Sequence, residues 1–158
     1  MSRGGPTVSA SSAPTPTRYF EQVTVGEKLP SVSFPLPIYR LVVAAGANRD
    51  FNSIHHNADY ARATGAPDMY ANVLFLLGMW ERAVRDWIGD AGTMRAITGF
   101  RMNRFTTVTE TAKVVAKVVD KRVADGAGIV TLRLHTEDSA GVTVGPGTVV
   151  VTLPRRDS

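Results

Sequence analysis

The spacing of hydrophobic residues changes once along the chain, near residue 89, and separates a helical half from a strand-rich half. The stretch from Val73 to Trp80 is apolar on every side, with Gly78 as its one interruption. Beyond it, apolar residues recur at helical spacing, with charged residues between them: Trp80, Ala83, Val84, Trp87 and Ile88. Residues 70–88 are therefore predicted to form one long helix, enclosed on all sides at its start and amphipathic at its end.

Shorter elements are predicted before this helix. Ile38–Ala47 is apolar enough for a short helix, and Ala58–Ala63 fits one or two helical turns. Asn48–Asn57 between them is polar and lacks periodicity, which is typical of a loop. Val32–Leu36 is expected to be extended, and the prolines beside it confine it to a sheet edge or a loop.

The second half of the chain alternates apolar and polar residues, as strands do. The predicted strands are Lys113–Lys121, Ile129–Thr136 and Val142–Leu153. Short turns at 125–128 and 139–141 make neighbouring strands antiparallel. One apolar helix and an antiparallel sheet bury most surface when the sheet curls around the helix. We therefore predict an α+β chain with the hot-dog fold, an antiparallel sheet of about five strands wrapped around one long central helix.

The chain is expected to hold one folded domain. Residues 1–17 are Gly, Ser, Thr and Pro with little to bury, so we predict a disordered tail there, a domain over 18–154 and a short tail at 155–158. No stretch reaches the about 18 apolar residues that span a bilayer, and no signal-peptide core is present. We therefore expect a soluble protein with no membrane partner. The absence of cysteine suits a reducing compartment, and we expect a cytoplasmic protein.

The net charge of +4 arises mainly from one stretch. Residues 95–122 carry seven Lys or Arg against two acidic residues. Such a strip fits a small polyanion, for example a phosphorylated cofactor, at least as well as a duplex, and no nucleic-acid motif accompanies it. We expect no nucleic-acid partner. For Lys113, Lys117 and Lys121, which share one face of a predicted strand, the simpler interpretation is a solvated surface.

The residues best placed for chemistry lie in the loop between the two short helices. Asp50 and His55 are close enough in that loop to converge, and Asn52 between them is suited to shaping the turn. A carboxylate and an imidazole that share one water can polarise it and move its proton. The structural alternative is that Asp50 caps the turn and His55 is a satisfied loop histidine. The spacing leaves both interpretations open.

Other polar or aromatic residues carry weaker signals. His135 alternates with apolar positions on a late strand and is expected at the surface. Trp80 and Trp87 lie one heptad apart on the helix, which is more typical of core or interface residues than of a ligand platform. Adjacent histidines such as His55 and His56 point in different directions, and no other histidine lies at helical spacing, so no metal site is predicted.

The segment Asp50-x-Asn52-x-Ile54-His55 resembles the hydratase motif of the MaoC-like hot-dog proteins, which include (R)-specific enoyl-CoA hydratases and 3-hydroxyacyl dehydratases. The long helix and the strand-rich half that follow the motif also agree, so the resemblance covers about residues 19–153. More narrowly, the chain resembles the smaller, catalytic subunit of the actinobacterial steroid side-chain enoyl-CoA hydratase, which works with a second, degenerate MaoC-like subunit. The segments that carry this narrower resemblance are 49–51, 54–56, 68–74 and 86–87.

The resemblance implies a trans-2-enoyl-CoA substrate and no cofactor beyond the coenzyme A within that substrate. Asp50 and His55 would activate the water that adds at the β-carbon. Backbone N–H groups at the start of the long helix would stabilise the enolate oxygen. Substrate contacts are expected from two groups of residues, the turn and helix start (Asn52, Asn72, Val73) and two cations that could meet the coenzyme A phosphates (Arg101, Arg104).

Two positions depart from the family pattern. Ser53 stands where the family has proline, which loosens the loop, and Ala71-Asn72 stands where His-Gly is common. Glycine lets a ligand approach the backbone closely, whereas Asn72 could cap the helix with its side chain. Three functions therefore stay open: a hydratase working as a homodimer or with a second MaoC-like subunit, a non-catalytic partner subunit, and an acyl-CoA thioesterase.

Overall fold

The computed structural model describes residues 16–156, so most of the predicted N-terminal tail and the last two residues lie outside it. Within the described residues the helices are α1 (Ile38–Ala47), α2 (Ala58–Ala63) and α3 (Val73–Ile88). The strands are β1 (Val32–Pro35), β2 (Thr93–Thr98), β3 (Thr111–Ala124), β4 (Ala127–Asp138) and β5 (Gly141–Leu153). Phe20–Gln22 and Ser53–His55 form single 3₁₀ turns.

The helices follow the hydrophobic pattern closely. α1 and α2 have the predicted bounds. α3 begins at Val73 rather than at residue 70, because the side chain of Asn72 caps it by accepting a hydrogen bond from Phe75 N–H (2.8 Å). None of the helices in residues 16–156 is long and apolar enough to cross a membrane.

The five strands form one antiparallel sheet in the order β1-β3-β4-β5-β2. The long strands β3, β4 and β5 lie in the centre and the short strands β1 and β2 at the edges. Across the centre, Val118 pairs with Leu132 and Leu132 with Val149, and all three side chains are fully buried. This confirms the predicted α+β hot-dog architecture.

α3 packs one face against this sheet. Its buried side chains are Leu76, Met79, Trp80, Ala83, Val84, Trp87 and Ile88. The indole N–H of Trp80 donates to the hydroxyl of Thr136 on β4 (2.8 Å), which satisfies both polar groups inside the core. The indole N–H of Trp87 lies 3.3 Å from a carboxylate oxygen of Glu27. Both tryptophans are core residues, as the sequence predicted.

The start of α3 is not enclosed on all sides, so that prediction is wrong for this chain. Val73 and Leu74 are 49% and 51% exposed. The sheet covers only one side of the helix, and the other side faces α1 across an open groove. Some apolar side chains in the first two turns of α3 are therefore not covered by any part of residues 16–156.

The placement of Lys121 also differs from the prediction. The pairing of β3 with β4 shifts between Val118 and Asp120, as expected for a β-bulge, which turns the following residues to the opposite face. Lys121 therefore faces inward, where its ammonium donates to the carbonyl oxygens of Phe20 (3.0 Å) and Val23 (2.7 Å). It also lies 4.4 Å from the centre of the Phe20 ring.

This position of Lys121 generates a stability prediction. Lys121→Met should lower the free energy of unfolding by about 1–3 kcal/mol, since two carbonyl groups lose their charged donor. Lys117→Met is the matched control, because Lys117 lies exposed on the outer face of the same strand and its replacement should change stability little. Urea denaturation of both variants measures the difference. Equal losses would contradict the inward placement.

Candidate active site

The C-terminal end of α1 directs Asp50 into the site. Asn48 N–H donates to Ala44 O (3.0 Å), and Asp50 N–H donates to Ala45 O (2.9 Å). Arg49 between them has a φ of 56°, in the left-handed region that costs a non-glycine residue about 1–2 kcal/mol. Backbone of this kind persists when surrounding contacts hold it, and it is frequent beside functional groups.

Asn52 shapes the next turn, as its position in the sequence suggested. Its side-chain oxygen accepts a hydrogen bond from Ile54 N–H (3.2 Å) and caps the 3₁₀ turn Ser53–His55. That turn brings His55 back towards Asp50. Asn52 is exposed and its side-chain oxygen is used in the turn, so any contact of Asn52 with substrate remains a prediction.

Asp50 and His55 are in direct contact. Nε2 of His55 lies 2.9 Å from Oδ2 of Asp50. The imidazole is buried, whereas the Asp50 side chain is 36% exposed. Oδ1 of Asp50 has no hydrogen bond within the described residues. One of the two interpretations of the sequence had these groups share a water. The structure joins them directly, and Oδ1 of the partly exposed carboxylate is left for a water.

The second ring nitrogen of His55 determines where its proton lies. Nδ1 is 2.7 Å from the carbonyl oxygen of Tyr70. A carbonyl can only accept, so Nδ1 carries the hydrogen. Nε2 then faces the Asp50 carboxylate either as a second N–H donor or as the acceptor of a proton on Asp50. In both cases one proton lies between the two side chains, which is the arrangement that a proton-transfer pair requires.

Tyr70 also packs its ring against the dyad. Its ring meets the imidazole of His55 edge-to-face at 5.5 Å between centroids, and the Phe105 ring lies 4.6 Å away on another side. Burial, and then the negative charge of Asp50, raise the pKa of the Tyr70 hydroxyl above its usual value. Tyr70 therefore stays neutral beside the dyad, and its ring limits the movement of the imidazole.

The residues before α3 are fixed by a second strand-like segment. Ala71 N–H donates to Thr106 O (3.0 Å), and Val108 N–H donates to Met69 O (2.8 Å). This pairing continues at Tyr70 and Thr107. The segment that leads to the start of α3 is thus held by residues 106–108 on one side and by the His55 ring on the other.

The start of α3 offers backbone donors close in sequence to the dyad. Phe75 N–H is used by the Asn72 side chain. The N–H groups of Asn72, Val73 and Leu74 have no acceptor within the described residues. Unpaired N–H groups at the positive end of a helix stabilise negative charge. Contact of Asn72 and Val73 with a thioester oxygen stays a prediction.

The side chain of Asn72 caps α3, which is the structural use that the sequence suggested for it. Its oxygen caps α3 and also accepts from the Asn48 side chain (3.3 Å), so it joins the ends of α1 and α3. Its side-chain nitrogen is buried and has no partner within residues 16–156. A buried donor without a partner is costly in a folded chain, and such a donor is available to a ligand.

Arg101 and Arg104 lie in the segment between β2 and β3. The Arg104 guanidinium donates to both carboxylate oxygens of Asp138 (3.2 Å each). Arg101 is exposed and forms no ion pair within the described residues. Of the two predicted phosphate contacts, Arg101 is therefore the one with an uncompensated charge.

The lysines of β3 agree with the simpler interpretation only in part. Lys113 forms an ion pair with Glu137 (3.1 Å), and this hydrogen bond lowers the pKa of the Glu137 carboxyl. Lys117 is exposed, whereas Lys121 faces inward. His135 lies on the outer face beside Glu137 (3.4 Å). Among residues 16–156, no three His, Asp or Glu side chains meet in a group that could hold a metal ion.

Known proteins share this fold and part of this sequence, although no family model matches the chain. The 3-oxo-4,17-pregnadiene-20-carboxyl-CoA hydratase beta subunit of Mycobacterium tuberculosis is 33% identical over 138 residues, which cover 85% of this chain and 98% of that protein. The chain belongs to the MaoC-like hot-dog family.

Solved structures agree with this family. A chain in the crystal structure of the ChsH1-ChsH2 complex from Mycobacterium tuberculosis is 28% identical with a TM-score of 0.73, over 85% of this chain and 100% of that one. A MaoC-like dehydratase from Rhodospirillum rubrum is 18% identical with a TM-score of 0.75, over 88% and 98%. The first of these structures is a complex of two named components, and the second supports the fold.

Two residues of this MaoC-like site were missed from the sequence. Tyr70 contributes its backbone carbonyl. Every residue has one, so the residue type at position 70 could not indicate this role. Asn48 follows a predicted helix and could have been recognised as a polar residue at its C-terminal end. Its bond to Asn72, 24 residues later, depends on how α1 and α3 pack.

The cap of α3 can be tested through stability. Asn72→Ala should lower the free energy of unfolding by about 0.5–2 kcal/mol, because Phe75 N–H loses its acceptor. Asn72→Ser keeps a cap acceptor and should lose clearly less. Chemical denaturation measures both variants. If the serine variant is as unstable as the alanine variant, the cap is not what stabilises this helix start.

Proposed function

We propose that this chain adds water across the double bond of a trans-2-enoyl-CoA to give a 3-hydroxyacyl-CoA, with Asp50 and His55 as the acid–base pair. The observation that carries the proposal is the 2.9 Å contact between a buried imidazole and a partly exposed carboxylate, with the same imidazole bonded to Tyr70 O two residues before the cap of α3. The hydratase relative and the family of the chain support the same reaction class.

Each step of the reaction has a group that can perform it. A water held by Asp50 Oδ1 gives up a proton to the dyad as its oxygen bonds to the β-carbon. The electron pair of the double bond moves towards the thioester, whose oxygen becomes negative beside the N–H groups of Asn72 and Val73. The dyad then returns a proton to the α-carbon, so no proton is lost or gained overall.

The same proposal covers substrate and partner. The Mycobacterium tuberculosis relative is the beta subunit of a 3-oxo-4,17-pregnadiene-20-carboxyl-CoA hydratase. We infer that this chain too takes a bulky acyl group, with Arg101 and Arg104 near the coenzyme A phosphates. The ChsH1-ChsH2 neighbour is a complex, so we infer that a second hot-dog subunit accompanies this chain as well. We also infer that the protein is cytoplasmic, which is compatible with a coenzyme A thioester as its substrate.

A second candidate is a non-catalytic subunit that supports a catalytic partner. The observation in its favour is the exposed apolar surface beside the dyad, which includes Phe51 (74% exposed), Val73 and Leu74. Such a surface is typical of an interface. If the chain only supports a partner, replacing Asp50 or His55 will leave the activity of the complex unchanged. A thioesterase would instead release free coenzyme A thiol.

Replacement of the dyad tests the proposed reaction. Asp50→Asn and His55→Ala should each lower kcat for enoyl-CoA hydration by about 10²–10⁴-fold, because each removes one half of the proton relay. Loss of absorbance from the conjugated thioester measures the rate, and a thiol reagent in parallel detects thioesterase activity.

His56→Ala is the matched control for this experiment. His56 is the exposed neighbour of His55 and has no side-chain contact that the dyad uses. The His56 variant should turn over at close to the unmodified rate. Undiminished hydration by the Asp50 and His55 variants in the intact complex would overturn the proposal and favour the supporting-subunit function.

A further inference from the structure

A groove of about 630 Å³ lies between α1 and α3. Its walls are mainly apolar, with Tyr39, Val43 and Ala47 on α1 and Leu74, Phe75 and Gly78 on α3. This volume lies within the roughly 300–1,000 Å³ range of sites that enclose drug-sized ligands. The space on the opposite side of α3 is filled by the core, including the fully buried Trp80. A bulky acyl group therefore finds room on the α1 side of the helix and not on the sheet side.

One end of the groove meets the candidate active site. Asn48 lines the groove and donates to the side-chain oxygen of Asn72, which caps α3. The N–H groups proposed to bind the thioester oxygen follow directly from that cap. A thioester placed there would have its acyl group pointing to the groove entrance.

The other end of the groove carries two cations. Arg82 lies ten residues along α3 from Asn72, a rise of about 15 Å. The Nε–H of Arg82 is shared between the two carboxylate oxygens of Asp86 (2.8 Å each), which fixes the guanidinium and leaves its two NH₂ groups for another acceptor. Arg40 reaches this end from α1 and donates to Pro35 O (3.0 Å). An oxygen at the far end of a rigid ligand would meet these donors.

Gly78 keeps the middle of the groove open. It is exposed at the centre of α3, with no strained backbone, and a Cβ at this position would meet no atom within 4 Å. Glycine in the interior of a helix costs about 1 kcal/mol relative to alanine. The fold therefore does not require glycine here for steric reasons, and a long side chain at this position would extend into the groove.

We propose that this groove binds the acyl part of the substrate, that it selects a long, rigid, polycyclic skeleton with an oxygen acceptor at its far end, and that Gly78 and Arg82 are the residues that set this specificity. The proposal rests on the proposed function for the reaction at the thioester. It adds where the acyl group lies and which features of the acyl group the groove recognises.

Gly78→Leu tests the groove by filling it, in the full chain with whatever subunit co-purifies. Hydration of crotonyl-CoA, whose acyl chain ends before the groove, should be largely unchanged. The kcat/KM for a polycyclic enoyl-CoA should fall by about tenfold or more, since a few added methyl groups in a pocket change specificity by that order. Gly46→Leu is the matched control, because Gly46 is an exposed helical glycine with open space around it but outside the groove.

Arg82→Gln tests the polar end. It should weaken binding of a polycyclic acyl-CoA that carries a far-end ketone and leave binding of the same skeleton without that oxygen unchanged. Arg85→Gln is its control, since Arg85 forms a similar ion pair one turn apart with Glu81 but does not line the groove. Calorimetry with saturated acyl-CoA analogues, which cannot be hydrated, measures these affinities without any turnover.

The two readouts separate the groove from the reaction. If no enoyl-CoA is hydrated yet the saturated polycyclic analogue binds and Gly78→Leu abolishes this binding, the proposed reaction fails and the groove proposal stands. If hydration occurs and Gly78→Leu affects both substrates equally or neither, the groove proposal is overturned. Loss of the subunit complex in Gly78→Leu would also overturn it, since the groove would then be an interface.

Discussion

The hydrogen bond from Nδ1 of His55 to the carbonyl oxygen of Tyr70 constrains everything else in the candidate site. It holds a hydrogen on Nδ1 and so turns Nε2 to Asp50, where one proton lies between the two side chains. It also joins the dyad to the backbone two residues before the cap of α3. In the proposed reaction, proton transfer and charge stabilisation therefore depend on the same contact.

The fold keeps this geometry rigid by local means. The segment that contains Tyr70 is paired with residues 106–108 on one side and bonded to His55 on the other. Asn72 and Asn48 tie the start of α3 to the end of α1. Groups held in this way by neighbouring hydrogen bonds lose little freedom when a substrate binds, which is what pre-organised catalysis requires.

Features that depend on short-range patterns could be predicted from the sequence, and features that depend on long-range packing could not. Hydrophobic spacing gave the bounds of α1 and α2, and the motif around Asp50 and His55 placed two side chains that do meet. A single β-bulge places Lys121 on the opposite side of β3 from the predicted one, and no residue pattern in the sequence predicts that bulge. The exposure of Leu74 depends on how far α1 stands from α3, which composition does not encode.

The most direct test of this account is nitrogen NMR of the His55 ring in the unmodified chain and in Asp50→Asn. We predict that Nδ1 keeps a slowly exchanging hydrogen in both proteins, since Tyr70 O binds it in both. Only the unmodified chain should show a second, strongly hydrogen-bonded proton between Nε2 and the Asp50 carboxylate. A ring that exchanges freely between its two tautomers, with no response to the loss of Asp50, would contradict the account.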